Sequence, residues 1–146
     1  MLYVDAPAPE RIWPPECFAE LADHVIEKWN ATVAVVSGRE GSGLTEKVKA
    51  ASRNPERLLR FTDLTIPQLA ALIASSRLLV ANDTGPMHIG PAVGTPTLGL
   101  FSVGFPEHFR PIGQNDRFLR ANPIEKIEVK DVLKVMEEMW ARAMAG

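Results

Sequence analysis

Short apolar runs alternate along the chain with segments in which apolar residues recur every three or four positions. The runs are typical of β-strands, and the recurring segments are typical of amphipathic helices. Strands are predicted at 2–4, 32–36, 58–61, 78–82, 95–101 and 117–120. Helices are predicted from the Pro14–Pro15 pair to Trp29, at 44–51, from Thr65 through Ile73, at 86–93, and in a closing stretch from Val129 to Trp140.

Strands that alternate with helices favour a parallel sheet with helices on both faces, because the crossover connections place the helices there. The whole chain, 1–146, is therefore predicted to be one α/β domain with a Rossmann-like parallel sheet. Ligands of such sheets bind at the carboxyl ends of the strands. The loops 5–11, 37–43 and 101–113 and the segment at Asp83 leave strands at that edge, so their side chains are expected to converge.

The most informative stretch is the joint between the fourth strand and the helix that follows it. The apolar run 78–81 ends in Asn82, Asp83, Thr84 and Gly85 and passes straight into the predicted helix. The first N–H groups of a helix lack partners within the helix, and the helix dipole is positive at that end. An acid, a hydroxyl and unpaired amides at one spot therefore predict a ligand that carries phosphate.

Composition narrows the function classes. The net charge of −2 and the pI of about 5.9 argue against a general nucleic-acid surface. The single cysteine, Cys17, cannot form an internal disulfide, so we expect a cytoplasmic protein in which Cys17 serves packing. No apolar run approaches the length of a membrane span, and no signal peptide is visible. No ligand spacing typical of a metal site stands out, so neither a metal nor a cofactor is predicted.

Several motifs together resemble the signature of family 9 glycosyltransferases, the bacterial ADP-heptose:lipopolysaccharide heptosyltransferases. They are the segment 83–88, followed by Gly-Thr-Pro-Thr at 94–97 and by Phe101. The segment 11–14 resembles the family's basic-x-Trp-Pro element, and 64–66 resembles the loop that enters the third helix. The resemblance implies the C-terminal, donor-binding half of a two-domain GT-B fold. The N-terminal acceptor domain, which carries the family's proposed catalytic base, is then absent from these residues.

The resemblance also implies an activity. The complete enzyme would be an inverting glycosyltransferase that moves heptose from ADP-heptose, or another nucleoside-diphosphate sugar, to an acceptor of the lipopolysaccharide-core type. This chain alone would be inactive, and membrane contact would be peripheral, at the inner face of the inner membrane and through the acceptor. The absent domain should leave surface exposed at the carboxyl edge, which a homodimer could cover.

Residue roles follow from the same resemblance. Thr84, Gly85 and the helix start would hold the diphosphate, Asp83 would bind sugar hydroxyls, and Arg11 and His88 would stabilise the leaving group. Each role has a plainer alternative: a helix cap for Thr84, a turn aspartate for Asp83, a solvated arginine for Arg11 and a core histidine for His88. Leu64 and Thr65 would line the base pocket, and Glu40, with Ser42 as a rival, would accept from the ribose. The full substrate-binding set is Arg11, Glu40, Leu64, Thr65, Asp83, Thr84, Gly85, Pro86, Met87 and His88. Met87 is equally suited to the core, and Trp13 is expected to be a packing anchor.

Two departures from the family pattern keep other functions open. The first loop reads Asp5-Ala-Pro-Ala-Pro9, which is poor in N–H donors and carries an acid that would repel phosphate. Gly90 and Pro91 stand where the family has alanines, so the helix should be short or kinked. The alternatives are a degenerate, non-catalytic module that binds a nucleotide sugar or a protein, and an aspartic protease, since Asp-Thr-Gly after an apolar run also marks that all-β class.

Overall fold

The computed structural model describes residues 1–39, 42–103 and 113–145. Its strands are β1 (Leu2–Tyr3), β2 (Val33–Ser37), β3 (Leu58–Thr62), β4 (Leu79–Asn82), β5 (Thr97–Phe101) and β6 (Arg117–Arg120). Its helices are α1 (Pro15–Trp29), α2 (Leu44–Ala51), α3 (Ile66–Ala74), α4 (Gly85–Ala92) and α5 (Val129–Ala145). All strand pairs are parallel, and the strand order is β3-β2-β1-β4-β5-β6. This is the order of the doubly wound dinucleotide-binding fold, so the predicted Rossmann-like sheet is confirmed.

Local sequence explains where the elements form. The strand β2 is rich in β-branched valine and is largely buried, as expected for a central parallel strand. A capping box starts α3: the Gln68 N–H donates to Thr65 Oγ1 (3.3 Å), and the Thr65 N–H donates to Gln68 Oε1 (2.9 Å). The helix α1 begins at Pro15, where a missing N–H costs nothing, and ends at Asn30, whose φ of 52° is one that asparagine tolerates.

Two hydrophobic cores lie on opposite faces of the sheet. The larger core packs α1, α2 and α5 against one face, and half-buried Cys17 packs against it, which confirms the predicted packing role of this cysteine. The smaller core packs α3 and α4 against the other face. Fully buried side chains of the larger core include Trp13, Phe18, Leu21, Leu58, Leu98, Leu100 and Ile124, and those of the smaller core include Ile73, Leu79, Met87 and Phe101.

The helix α4 is short, as the proline inside it predicts. It ends after eight residues, and Gly94 turns the chain with a φ of 82°. The Thr95 N–H then donates to the Gly90 carbonyl (2.9 Å), and Thr95 Oγ1 donates to the Ile73 carbonyl (2.8 Å). Because Thr95 is committed to closing α4, β5 begins at Thr97 rather than at the predicted position 95.

This architecture decides one of the alternatives. A parallel α/β sheet contradicts the all-β architecture of an aspartic protease, and here Asp-Thr-Gly opens a helix. The aspartic-protease hypothesis is therefore wrong. Within the described ranges, no helix is both long and apolar enough to cross a membrane.

Candidate functional site

A buried asparagine at the end of β4 organises the carboxyl edge of the sheet. Asn82 is fully buried, and its Oδ1 accepts a hydrogen bond from the Trp13 backbone N–H (3.1 Å). Its Nδ2 donates to the Val4 carbonyl (3.1 Å) and, more weakly, to the Asp5 carbonyl (3.4 Å). One amide side chain thus ties β4 to the end of β1 and to the segment before α1.

The segment before α1 is fixed from two further sides. The Trp13 side chain is fully buried, and its Nε1 donates to the Ile127 carbonyl (2.9 Å), which confirms that it is a packing anchor. Ser102 Oγ, just after β5, donates to the Glu10 carbonyl (2.7 Å). These contacts hold a short 3-10 turn, Pro9–Arg11, over the ends of β4 and β5.

Arg11 projects from this turn toward the end of β4. Its guanidinium lies 3.8 Å from a carboxylate oxygen of Asp83, a loose ion pair in which the arginine side chain is 37% exposed and the aspartate side chain 11%. The Arg11 Nε is buried and has no hydrogen-bond partner among the described residues. Arg11 therefore carries donor capacity that its own ion pair leaves unused.

Thr84 is the second residue whose side chain has unused hydrogen-bonding capacity. It stands at the N-cap of α4 with extended backbone, yet its side chain makes no capping hydrogen bond. The residue is 8% exposed, and no group in the described part of the chain hydrogen-bonds its Oγ1. A buried hydroxyl without a partner is costly, so this atom is best explained by a ligand or an ordered water that binds it. The plain helix cap considered from sequence does not fit, because the capping bond is not made.

The first turn of α4 has fewer free backbone N–H groups than the start of a helix usually has. Pro86 has no N–H, and the Met87 N–H already donates to the Thr84 carbonyl (3.2 Å). Gly85 is exposed, and a Cβ built there would meet no atom within 4 Å, so there is room for a ligand beside this residue. Met87 places its side chain in the smaller core, the packing role that the sequence also allowed.

His88 lies on the first turn of α4 and is exposed. The alternative in which it is a core histidine is therefore wrong. His24, on α1, is also exposed.

The remaining candidates lie farther from Arg11 and Thr84. Leu64 and Thr65 follow β3, which is three strand spacings from β4, or about 14 Å. Leu64 packs against the smaller core, while Thr65 is exposed and caps α3. Glu40 lies outside the described residues, and its rival Ser42 donates through Oγ to the Arg39 carbonyl (2.8 Å).

Asp5 sits at the same edge, between the ends of β2 and β4. Its Oδ1 accepts from the Ala6 N–H (2.8 Å), and its Oδ2 accepts from the Gly38 N–H (3.1 Å). The predicted acid in the first loop is therefore bound to two backbone amides of the site. Asp5 and Asp83 thus both place a carboxylate at this edge, and Arg11 pairs with that of Asp83.

A separate cavity opens at the opposite, amino edge of the sheet. Its volume is about 480 Å³, and its lining includes Trp29, Arg77 and Trp140. The two indoles stack with centroids 4.4 Å apart. Because this cavity lies at the amino ends of the strands, it is separate from Arg11 and Thr84.

Sequence reasoning missed the role of Asn82. It named the residue as part of the polar end of the strand but gave it no function, although a polar residue that closes a buried strand is a signal for such a link. Ser102 was also missed, and nothing in its local sequence distinguishes it.

Known proteins resemble this chain in both sequence and fold. The family model described as glycosyltransferase family 9 (heptosyltransferase) matches residues 3–138. The lipopolysaccharide heptosyltransferase 2 of Escherichia coli strain K12 is 26% identical over 114 residues, which cover 77% of this chain and 33% of that protein.

Solved structures agree in fold. The E. coli ADP-heptose lipopolysaccharide heptosyltransferase II superposes with a TM-score of 0.85 at 21% identity, covering 97% of this chain and 46% of the other. The E. coli heptosyltransferase WaaC with ADP superposes with a TM-score of 0.79 at 17% identity, covering 94% and 43%. The chain thus spans about a third of the curated relative and less than half of the solved chains. The family model covers nearly the whole sequence, and the chain belongs to glycosyltransferase family 9, the heptosyltransferases.

Proposed function

We propose that this chain is the donor-binding part of an inverting glycosyltransferase and holds the diphosphate of a nucleoside-diphosphate sugar at the start of α4. The observation that carries the proposal is that Thr84 Oγ1 and Arg11 Nε are both buried and that neither has a hydrogen-bond partner among the described residues. Both groups lie at the carboxyl edge, where doubly wound sheets bind ligands. A related heptosyltransferase is known with ADP, and ADP-heptose is the donor that the family suggests.

The chemistry follows from these groups. Thr84 Oγ1 and the Gly85 N–H donate to phosphate oxygens, and Gly85 lets the ligand approach the backbone closely. The acceptor hydroxyl attacks the anomeric carbon of the sugar, and the bond from that carbon to the diphosphate oxygen breaks. The electron pair of that bond leaves with the nucleoside diphosphate, and the guanidinium of Arg11 stabilises the added charge.

The proton of the acceptor hydroxyl goes to a base in a second domain, which the proposal places outside these residues. The chain alone is then expected to bind nucleotide without transferring sugar. The complete enzyme would work in the cytoplasm at the inner membrane face and meet the membrane through its lipopolysaccharide-type acceptor.

A second candidate function is a binding module that has lost catalysis. The observation that favours it is the Asp5 carboxylate at the site, together with the ion pair that engages Arg11. Sugar transfer by this chain combined with an acceptor domain would exclude this candidate.

Replacement of Thr84 by valine is expected to weaken ADP binding about tenfold or more, because hydrogen bonds to charged groups contribute roughly 1.5–3 kcal/mol. Thr84→Ser keeps the hydroxyl and should bind like the wild type. Isothermal titration calorimetry measures both affinities, and thermal unfolding verifies that both variants fold. If the wild-type chain binds none of ADP, GDP, UDP or CDP, the proposed function is wrong.

A further inference from the structure

The carboxylate of Asp5 occupies two backbone donors at the carboxyl ends of β1 and β2. The N–H of Ala6, three residues after β1, and the N–H of Gly38, directly after β2, both donate to it. The next donors along the first loop are scarce, because Pro7 and Pro9 have no N–H. At these two amides, an incoming phosphate oxygen therefore meets a negative charge in place of amide hydrogens.

The register of the sheet places this charge near the start of α4. Tyr3 pairs with Val36 on β2 and with Ala81 on β4, so two residues later Asp5 is level with Gly38 and Asp83. Adjacent strands lie about 4.8 Å apart, so a phosphate held by Thr84 lies within roughly 10 Å of the Asp5 carboxylate. At such a distance in a half-buried site, two charges still interact appreciably.

The negative charge of Asp5 also affects the neighbouring Tyr3 side chain. Burial raises the pKa of the Tyr3 hydroxyl, and the negative charge of Asp5 raises it further. The Tyr3 hydroxyl also lies close to Gly38, since a Cβ built on that glycine would be 3.1 Å from it. The charge of Asp5 is therefore felt across the ends of β1 and β2.

We infer that Asp5 is a positioning residue that excludes phosphate from the β1–β2 side of the edge and confines a bound diphosphate to the β4–α4 side. The inference rests on the proposed function and deepens it. Asp5 blocks the two amides and repels the ligand, so the diphosphate depends on Thr84, Gly85 and Arg11. As a consequence, Asp5 in the loop after β1 lowers the affinity of the site for diphosphates.

The test is to remove the charge and measure diphosphate binding to the full chain. Asp5→Asn keeps the size of the side chain and one amide acceptor, and Asp5→Ala exposes both amides. ADP and inorganic pyrophosphate should each bind about fivefold or more tightly to both variants. The gain should shrink between 50 mM and 500 mM salt, as screening removes charge repulsion. A purely structural role of Asp5 would not produce this salt dependence.

Glu56→Gln is the matched control, because it makes the same charge change at an exposed position before β3, on the amino edge. Its affinity for ADP should equal that of the wild type. Thermal unfolding identifies any Asp5 variant that fails to fold, and the other variant then decides. Unchanged or weaker binding by a folded variant overturns the role of Asp5 while leaving the proposed function intact. A chain that binds no nucleotide with or without Asp5 overturns both.

Discussion

Replacement of Gly90 by valine is expected to lower the free energy of unfolding by about 3 kcal/mol or more, because the side chain would be forced into a packed interface. A Cβ at Gly90 would lie 1.9 Å from Thr97 Oγ1 and 3.1 Å from a methyl carbon of Leu79. Thr97 cannot move aside easily, since it is fully buried and its hydroxyl donates to the Thr95 carbonyl (2.9 Å). Urea denaturation measures the loss.

The matched control is Gly85→Ala in the same helix. A Cβ at Gly85 meets no atom within 4 Å, so this variant should be as stable as the wild type or slightly more stable. A double-mutant cycle locates the clash: Gly90→Ala should cost less in a Thr97→Ala background, where the hydroxyl is gone. If Gly90→Val unfolds at the wild-type urea concentration, the close approach of α4 to β5 is not what makes glycine necessary here.

The sheet and its helices could be predicted from sequence because they depend on periodicity and capping, which are local. The helix α2 and the strand β6 have the predicted bounds, and the Thr65–Gln68 capping box forms as predicted. Parallel crossovers then leave few ways to order the strands. Several other boundaries differ from the predicted ones, and the start of β5 differs by two residues. The start of β5 depends on hydrogen bonds from Thr95 to two other elements, and no local pattern contains that information.

The site was predicted less completely because its contacts join distant parts of the chain. The edge of the sheet and the residues Arg11, Asp83 and Thr84 follow from motif and topology. Two contacts depend on how three loops pack together: the ion pair of Arg11 with Asp83, and the hydrogen bond that Asp5 accepts from the Gly38 N–H. Buried polar links of this kind also escape hydrophobic patterns, as Asp23 shows: it is buried in α1, and its carboxylate accepts from the Arg53 N–H (3.0 Å).

Ion pairing at the edge has a consequence for the proposed mechanism. Arg11 is held loosely by Asp83, so a diphosphate with two or more charges can draw the guanidinium away from a single carboxylate. Asp83 would then turn from the partner of Arg11 to an acceptor for sugar hydroxyls. Under the proposed function, Arg11 and Asp83 would thus pair with each other without ligand and would each contact the ligand once it is bound.

Replacement of Asn82 by aspartate is expected to cost about 3–5 kcal/mol at pH 8, because it creates a buried charge without a cation as partner. One carboxylate oxygen can still accept from the Trp13 N–H. The other would face the Val4 carbonyl, which now accepts from Asn82 Nδ2 at 3.1 Å. The loss should appear in urea denaturation and should also weaken ADP binding, since Asn82 ties the segment that carries Arg11 to β4.

The pH dependence of stability distinguishes the effect of the introduced charge in Asn82→Asp from the effect of a changed side-chain shape. Burial and the facing carbonyl should raise the pKa of the introduced carboxyl above its unfolded value of about 4. A group whose pKa is raised on folding is best accommodated in its protonated form. The Asn82→Asp variant should therefore come closest to wild-type stability near pH 4 and lose stability as the pH rises through the folded pKa. Asn82→Leu has a similar shape without a charge, so its stability deficit relative to the wild type should not change with pH. A pH-independent deficit in Asn82→Asp would show that Asn82 is not the buried hydrogen-bonding link between β4, β1 and the Arg11 turn.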